Sequence, residues 1–245
     1  MKKAVISCSG GLDSTCLLLK LLAEGYEVRA YGFQYGQKHQ IELRKVKRNI
    51  KFLQEKGLPV TYQCINLKDA FSESASSLRG SNNLEIPQGN YKDENMKSTV
   101  VENRNVIFSS IIYGKALGWA NKTQEDVVIT LGLHAGDHTI YPDCRPESHE
   151  AAKHLFRISN WGSERVDYTA PFIEKNKGEV LAEGLEAMKS LGFTDAEVKK
   201  VLRGTHSCYT PDEHGCSCGK CGTCTERLEA FEANGMKDPI RYKKG

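Results

Sequence analysis

Lys3–Leu22 reads KAVISCSGGLDSTCLLLKLL, and its pattern changes twice within that span. Ala4-Val5-Ile6 is a short apolar run of the kind that makes a buried strand. Leu18, Leu21 and Leu22 recur at helical spacing, with Gly25 where a helix would stop. Between them lies Ser9-Gly10-Gly11-Leu12-Asp13-Ser14. Two adjacent glycines permit a sharp turn and leave amide N–H groups open to a ligand. Asp13 or Ser14 is placed to cap the following helix, whose N-terminal end carries partial positive charge. Exposed amides, small hydroxyls and a helix N-terminus together make a phosphate cradle. No Lys-Ser or Lys-Thr pair closes the loop, so it is not the P-loop of nucleoside triphosphatases; the G-x-G-x-x-G spacing of dinucleotide folds is absent too.

Outward from this unit, strand and helix patterns alternate. Glu27–Phe33 reads as a second strand, and Leu43, Val46, Ile50 and Leu53 as an amphipathic helix ended by Gly57 and Pro59. Val60, Tyr62 and Cys64 alternate as a third strand. Periodicity dissolves over Lys68–Thr99, which reads as an insertion able to cover a site. A helix resumes around Ile107–Tyr113 and is expected to reach Gly118. Val127–Leu131 is a fourth strand, Leu155 and Ile158 mark a helix after Pro146, and Val166–Ala170 is a fifth strand. Val180, Leu181, Leu185 and Met188 form a further helix, and Thr194 with Glu197 a capping box. The alternation implies a doubly wound parallel sheet, running outward through three strands and returning beside the first. Ligands bind such sheets where the order switches, at the carboxyl ends of the strands, which is where Ser9–Ser14 must lie.

The 245 residues suffice for one well-buried domain with a small appendage, and a net charge of +3 is too weak for an extended nucleic-acid surface. Met1-Lys2-Lys3 is not followed by a signal-like apolar region, and no membrane-length run occurs, so a cytoplasmic protein is expected. Of nine cysteines, Cys208, Cys216, Cys218, Cys221 and Cys224 crowd together. Cys208, Cys218, Cys221 and Cys224 give C-x9-C-x2-C-x2-C, which suits a closed, structural Zn2+ site. Cys216 is a competing candidate for the second position, and Cys218 is chosen because it keeps the knuckle spacing.

Three other segments are dense in polar groups: Phe33–His39 after the second strand, Glu102–Asn105 at a helix start, and Asp137–Glu147 after the fourth strand. Lys177 starts the helix after the fifth strand, and spacing alone reads it as a solvated lysine. The Ser-Gly-Gly-x-Asp-Ser loop resembles the pyrophosphate loop of the N-type ATP pyrophosphatases. Taken with Tyr35-Gly-Gln-Lys-His39, Arg104-Asn105, Tyr141-Pro-Asp-Cys-Arg-Pro-Glu147, Ser207-Cys-Tyr209 and the cysteine run, in that order, the chain resembles the 7-cyano-7-deazaguanine synthases from Met1 to about Pro239.

The resemblance implies an adenine nucleotide alpha hydrolase-like α/β domain over residues 1–203 with a zinc-binding segment over 204–245 packed on it. It implies an ATP-dependent C–N ligase that converts 7-carboxy-7-deazaguanine and ammonia to the nitrile through adenylated carboxylate and amide, with Mg2+ assisting and a homodimer as the assembly. By the same resemblance, Ser9, Asp13, Ser14 and Lys177 act in catalysis. Cys8, Gly10, Gly11, Leu12, Phe33 and Arg104 join the loop in ATP binding, and Tyr35, Gln37, His39, Arg104, Asn105, Asp137, Tyr141, Asp143 and Arg145 bind substrate. The sequence departs from the family pattern at Gln34, Glu102-Asn103, Asn176 and the additional Cys216, and Gln34 and Glu102 are expected to flank the substrate. Alternatives are a ligase transferring the same carboxylate to another amine such as a protein terminus, a tRNA-modifying adenylating enzyme, and a noncatalytic nucleotide-binding module.

Overall fold

The computed structural model describes residues 1–38, 40–88, 97–134 and 141–243. Strand β1 (Lys2–Ser7) is the centre of a five-stranded sheet among these residues. It pairs in parallel with β2 (Tyr26–Gln34) and β4 (Val127–Thr130). β3 (Val60–Asn66) lies outside β2 and β5 (Val166–Thr169) outside β4, both parallel, giving the order β3-β2-β1-β4-β5. This is the doubly wound order expected from the alternation. Ala4, Val5 and Ile6 are fully buried because helices cover both faces. Alternation sends Ala4 and Ile6 into one core layer and Val5 into the other.

Helices α1 (Leu12–Ala23), α2 (Ile41–Glu55) and α5 (Lys177–Ser190) cover the first face, and α3 (Arg104–Thr123) and α4 (Pro146–Ser159) the second. Asn176 caps α5 in a capping box with Glu179, so this departure from the family pattern still fills the capping role. The short α6 (Asp195–Arg203) starts with the expected box, Glu197 N donating to Thr194 Oγ1 at 3.3 Å. The final helix, α7 (Gly222–Ala233), inserts Ala230 and Phe231 into the first core layer. The tail is also tied down by Arg227, fully buried and forked onto Asp238 at 2.6 and 3.0 Å, while its third nitrogen donates to Thr205 Oγ1 at 2.8 Å.

Two local expectations need correction, and two other segments show more than the sequence did. The N-cap of α1 is Gly11, without a side-chain cap, so Asp13 and Ser14 fall inside the first turn and cap nothing. α3 runs past Gly118 because Trp119 and Ala120 continue its buried face, and packing outweighs the cost of about 1 kcal/mol for a helical glycine. α4 turns His149 and Phe156 inward, Phe156 stacking on Tyr113 at 4.5 Å, whereas Leu155 and Ile158 point outward. The 68–99 segment, read as an insertion, contributes Phe71, Leu78 and Ile86 to the second core layer.

Candidate active site

The turn after β1 is held in a conformation that few residues other than glycine allow. Gly10 has φ 93°, and a Cβ there would meet the Glu42 carbonyl oxygen at 2.6 Å. Gly132, just beyond β4, passes so close to the loop that a Cβ would lie 3.2 Å from Ser14 N. The loop is thus clamped between α2 and the end of β4. Ser9 Oγ lies 3.3 Å from Ser14 Oγ and accepts from Gly11 N at 3.2 Å. With no side chain capping α1, its first-turn amides have no intrahelical acceptor.

Behind the loop sits a row of charges. Lys177, only 5% exposed, places Nζ 3.8 Å from Asp13 Oδ2 and 2.7 Å from Glu226 Oε2. The reading of Lys177 as solvated fails because its stem packs at the α5 start and its head meets two carboxylates. His134 Nε2 lies 3.6 Å from Asp13 Oδ2. Burial pushes the Asp13 carboxyl up, but the Lys177 ammonium and then His134 override it and hold the group well below the usual carboxylate range. Lys177 likewise stays charged: Asp13 and Glu226 more than offset its desolvation. Asp13 Oδ1 is buried without a hydrogen-bond partner among the described residues.

Loop and charges form one wall of a cavity of about 310 Å³. The opposite wall is aromatic. Phe33 stacks on Phe108 at 3.9 Å, and Tyr35 packs beside Phe108 at 5.8 Å. Arg104 lies over the Tyr35 ring at 5.6 Å and donates to its hydroxyl at 3.4 Å. Asn105, Tyr141 and Cys144 complete this side. The Tyr141 hydroxyl bonds Thr99 at 2.6 Å, and burial pushes the Cys144 thiol up to about 12.

Of the residues singled out in the sequence, Ser9, Gly11, Asp13, Ser14, Phe33, Tyr35, Arg104, Asn105, Tyr141 and Lys177 line this one cavity. Cys8 and Leu12 are fully buried core residues; burial outweighs a hydrogen bond with Ser14 and raises the Cys8 thiol to about 11. Gln37 is buried with its amide engaged: it accepts from Tyr35 N at 2.9 Å and donates to Phe33 O at 3.2 Å. Asp143 lines a neighbouring recess with Thr99, Arg104 and Tyr141, and Arg145 is exposed. His39 and Asp137 lie outside the described residues.

The cysteine cluster adjoins this region through Ser207 and Thr223, which line the cavity. The sulfurs of Cys208, Cys218, Cys221 and Cys224 all lie within 4.8 Å of one another. Cys208 Sγ accepts from Thr210 N and Cys218 N, and Cys218 Sγ from Lys220 N and Cys221 N, at 3.2–3.4 Å. Amide donors of this kind stabilise thiolates, and four sulfurs so close need a cation between them when ionised. The donor set fits zinc. Cys216 is outside the cluster; it closes a turn in which its N–H donates to Asp212 Oδ1 at 2.7 Å.

A family model described as queuosine biosynthesis protein QueC matches residues 3–235. The chain belongs to the QueC family. Curated relatives named 7-cyano-7-deazaguanine synthase include those of Caldicellulosiruptor bescii (38% identity, 98% of this chain and 97% of the relative) and Marinomonas sp. (39%, 99% and 99%). The archaeal relative from Methanoregula boonei, of the same name, is 37% identical over 98% of this chain and 99% of its own length.

In this QueC-family chain the two departures expected near the substrate do not line the cavity. Gln34 ends β2, where its carbonyl accepts from Leu67 N at 2.7 Å. Glu102 is exposed and accepts from Ala75 N at 3.4 Å, tethering the 68–99 segment. Sequence reasoning missed Glu42, His134, His206 and Glu226, all of which line the cavity. Glu226 had a readable signal, since it follows Cys224 by two positions on a helix fixed by the cluster. Glu42 sat unremarked beside the apolar stripe of α2.

Proposed function

We propose that the protein makes 7-cyano-7-deazaguanine from 7-carboxy-7-deazaguanine, ammonia and ATP, the product being the one for which its curated relatives are named. The observation that carries this reading is that the Ser9–Ser14 loop with its Asp13–Lys177–Glu226 row faces Arg104, Tyr35 and Tyr141 across a single cavity. The loop and Lys177 offer donors and charge for phosphates, and the aromatic lining offers faces for a flat heterocycle.

The carboxylate of the substrate attacks the α-phosphorus of ATP, and pyrophosphate leaves. The amides around Gly10, Gly11 and Leu12 and the hydroxyls of Ser9 and Ser14 receive the leaving charge, with Lys177 as a fixed cation. Asp13 holds Lys177 in place and, through its unpartnered Oδ1, suits a magnesium ion bound with the nucleotide. When bound, magnesium would supply positive charge against the developing negative charge. Phe33 and Arg104 flank the nucleotide. Tyr35 or Tyr141 stacks on the heterocycle, Arg104 pairs with its carboxylate, and Asp143 accepts from its N–H edge. Ammonia displaces AMP to give the amide, and a second adenylation converts the amide oxygen into a leaving group so that the nitrile forms.

The four-cysteine cluster holds zinc in a closed, structural role and keeps α7 folded, within a 204–245 segment packed on a 1–203 domain. A cytoplasmic homodimer completes the proposal; no helix of the described residues is long and apolar enough to cross a membrane. The relatives' names do not favour transfer to another amine or a tRNA substrate.

Incubation with ATP and 7-carboxy-7-deazaguanine, with and without ammonium, tests the reading by mass analysis. The expected products are the nitrile, AMP and pyrophosphate with ammonium, and AMP and pyrophosphate alone without it. Absence of AMP under both conditions rejects the reading.

A further inference from the structure

Most charged groups of the cavity already have work in the proposed reaction; Glu42 does not. It stands in the first turn of α2 and lines the cavity with Ser9, Phe33, Tyr35 and Arg104. Its backbone is fixed against the pyrophosphate loop by the close approach at Gly10. Its carboxylate accepts one long hydrogen bond, 3.4 Å, from Gln37 Nε2, and Gln37 is itself locked onto Phe33 and Tyr35. Among the described residues Glu42 joins no ion pair. The groups facing it are Arg104 from α3, Tyr35 from the end of β2 and Tyr62 from β3. Lys45, one turn along its own helix, is held away by the Thr205 carbonyl at 3.0 Å. Burial outweighs Gln37 and Arg104 and pushes the carboxyl up to about 7.

This inference rests on the proposed activity, which must remove several protons from one nitrogen. We propose that Glu42 is the general base that takes protons from the nitrogen nucleophile in both halves of the reaction. In water near neutral pH the nitrogen arrives as ammonium. Glu42 accepts one proton and passes it to solvent, and the freed lone pair forms the C–N bond to the adenylated carbon. Glu42 takes a second proton from the nitrogen, and AMP departs with the electron pair of the C–O bond, leaving the amide. After the second adenylation the group is an O-adenylated amide with two N–H protons. Loss of both to the same base, one at a time, forms the C≡N bond as AMP again takes the C–O pair. No further reactant is required, and a carboxyl that titrates near 7 both accepts and releases protons readily.

The test separates proton removal from adenylation by changing the nucleophile. Hydroxylamine is neutral at about pH 7 and needs no deprotonation before attack. Glu42→Gln should slow ammonium-dependent amide formation in single turnover by about 10²–10⁴-fold. Pyrophosphate release with the acid alone should fall less than about threefold, and hydroxamate formation from hydroxylamine should fall much less than the ammonium reaction, because only the proton lost after attack still needs the base. At fixed total ammonium the wild-type rate should level off above about pH 7, whereas the variant, which depends on free ammonia, should keep rising with pH beyond that point. Glu42→Asp, which retains an acid, should restore part of the ammonium rate, and an unchanged Tm for both variants excludes misfolding. Equal loss in all three assays, or an unchanged ammonium rate, overturns the proposal. Failure of the wild-type protein to release pyrophosphate with the acid overturns the proposed activity, and the role of Glu42 with it.

Discussion

The two walls of the cavity are built on opposite physical plans. The loop wall is a set of fixed charges: Asp13 and Glu226 flank Lys177, with His134 alongside. Removing one partner strands another charge in a poorly hydrated place, so this wall fails abruptly. The aromatic wall is held by ring contacts, Phe33 on Phe108 and Tyr35 edge-on to Phe71 at 5.9 Å. Each such pair adds only about 0.5–1.5 kcal/mol beyond area burial, so this wall should weaken by degrees. Charge that develops during reaction calls for the first plan, and recognition of a flat ring calls for the second.

The largest effect should come from the support of the charged wall. Purified protein should carry one zinc per chain, and Cys221→Ser should lose it together with α7, removing Glu226 from Lys177. Structural zinc contributes on the order of 10 kcal/mol in small domains, comparable to a whole domain's stability. Elemental analysis and thermal unfolding read the outcome, and Cys216→Ser should retain the metal. Zinc kept by Cys218→Ser but lost by Cys216→Ser would reverse the ligand assignment.

Next is Asp13→Asn, which keeps the shape and removes the charge. Pyrophosphate release should fall about 10²–10³-fold. Because the folded pKa of Asp13 is depressed, its stabilisation is complete above the unfolded value and lost as pH falls. The stability gap between wild type and variant should therefore be constant above about pH 5 and close below about pH 4. A gap that widens on acidification would refute the Lys177 pairing.

Smaller effects belong to the other wall. Asp143→Asn should weaken deazaguanine binding about ten- to a hundredfold, one charge-assisted hydrogen bond, with ATP binding little changed. Separate calorimetric titrations distinguish the two ligands, and equal weakening of both would return Asp143 to a structural role. Glu102→Gln should change stability and substrate affinity by less than about 0.5 kcal/mol, as its contact is exposed. A larger loss in substrate affinity would show that the 68–99 tether shapes the pocket.

The sheet order and the cluster of four cysteines were legible because period, turn and spacing are local signals. The turn from β1 into α1 was legible for the same reason, but its cap was not: the choice between Gly11 and Asp13 depends on where α2 and β4 pinch the backbone. Lys177 shows the limit more sharply. Nothing near it in sequence marks it as buried, since both carboxylates that stabilise it come from distant elements, α1 and α7. Leu155 and Ile158 marked the helix after Pro146 correctly, but not which of its stripes turns inward, because that depends on the neighbour it meets, here Tyr113.

Strand β1 and helix α1 are made before the other elements of the sheet and stand at the middle of the finished fold. The leucine-rich face of α1 is closed by α5, which begins only at Lys177, and by Phe231 still later. At cellular elongation rates of roughly 5–20 residues per second, that face waits on the order of ten seconds for its cover. During synthesis Leu17, Leu18 and Leu21 therefore form a temporary sticky surface on every ribosome that makes this chain. Its yield in a host cell should respond to translation speed and chaperone supply, although the mature molecule keeps that surface almost entirely sealed.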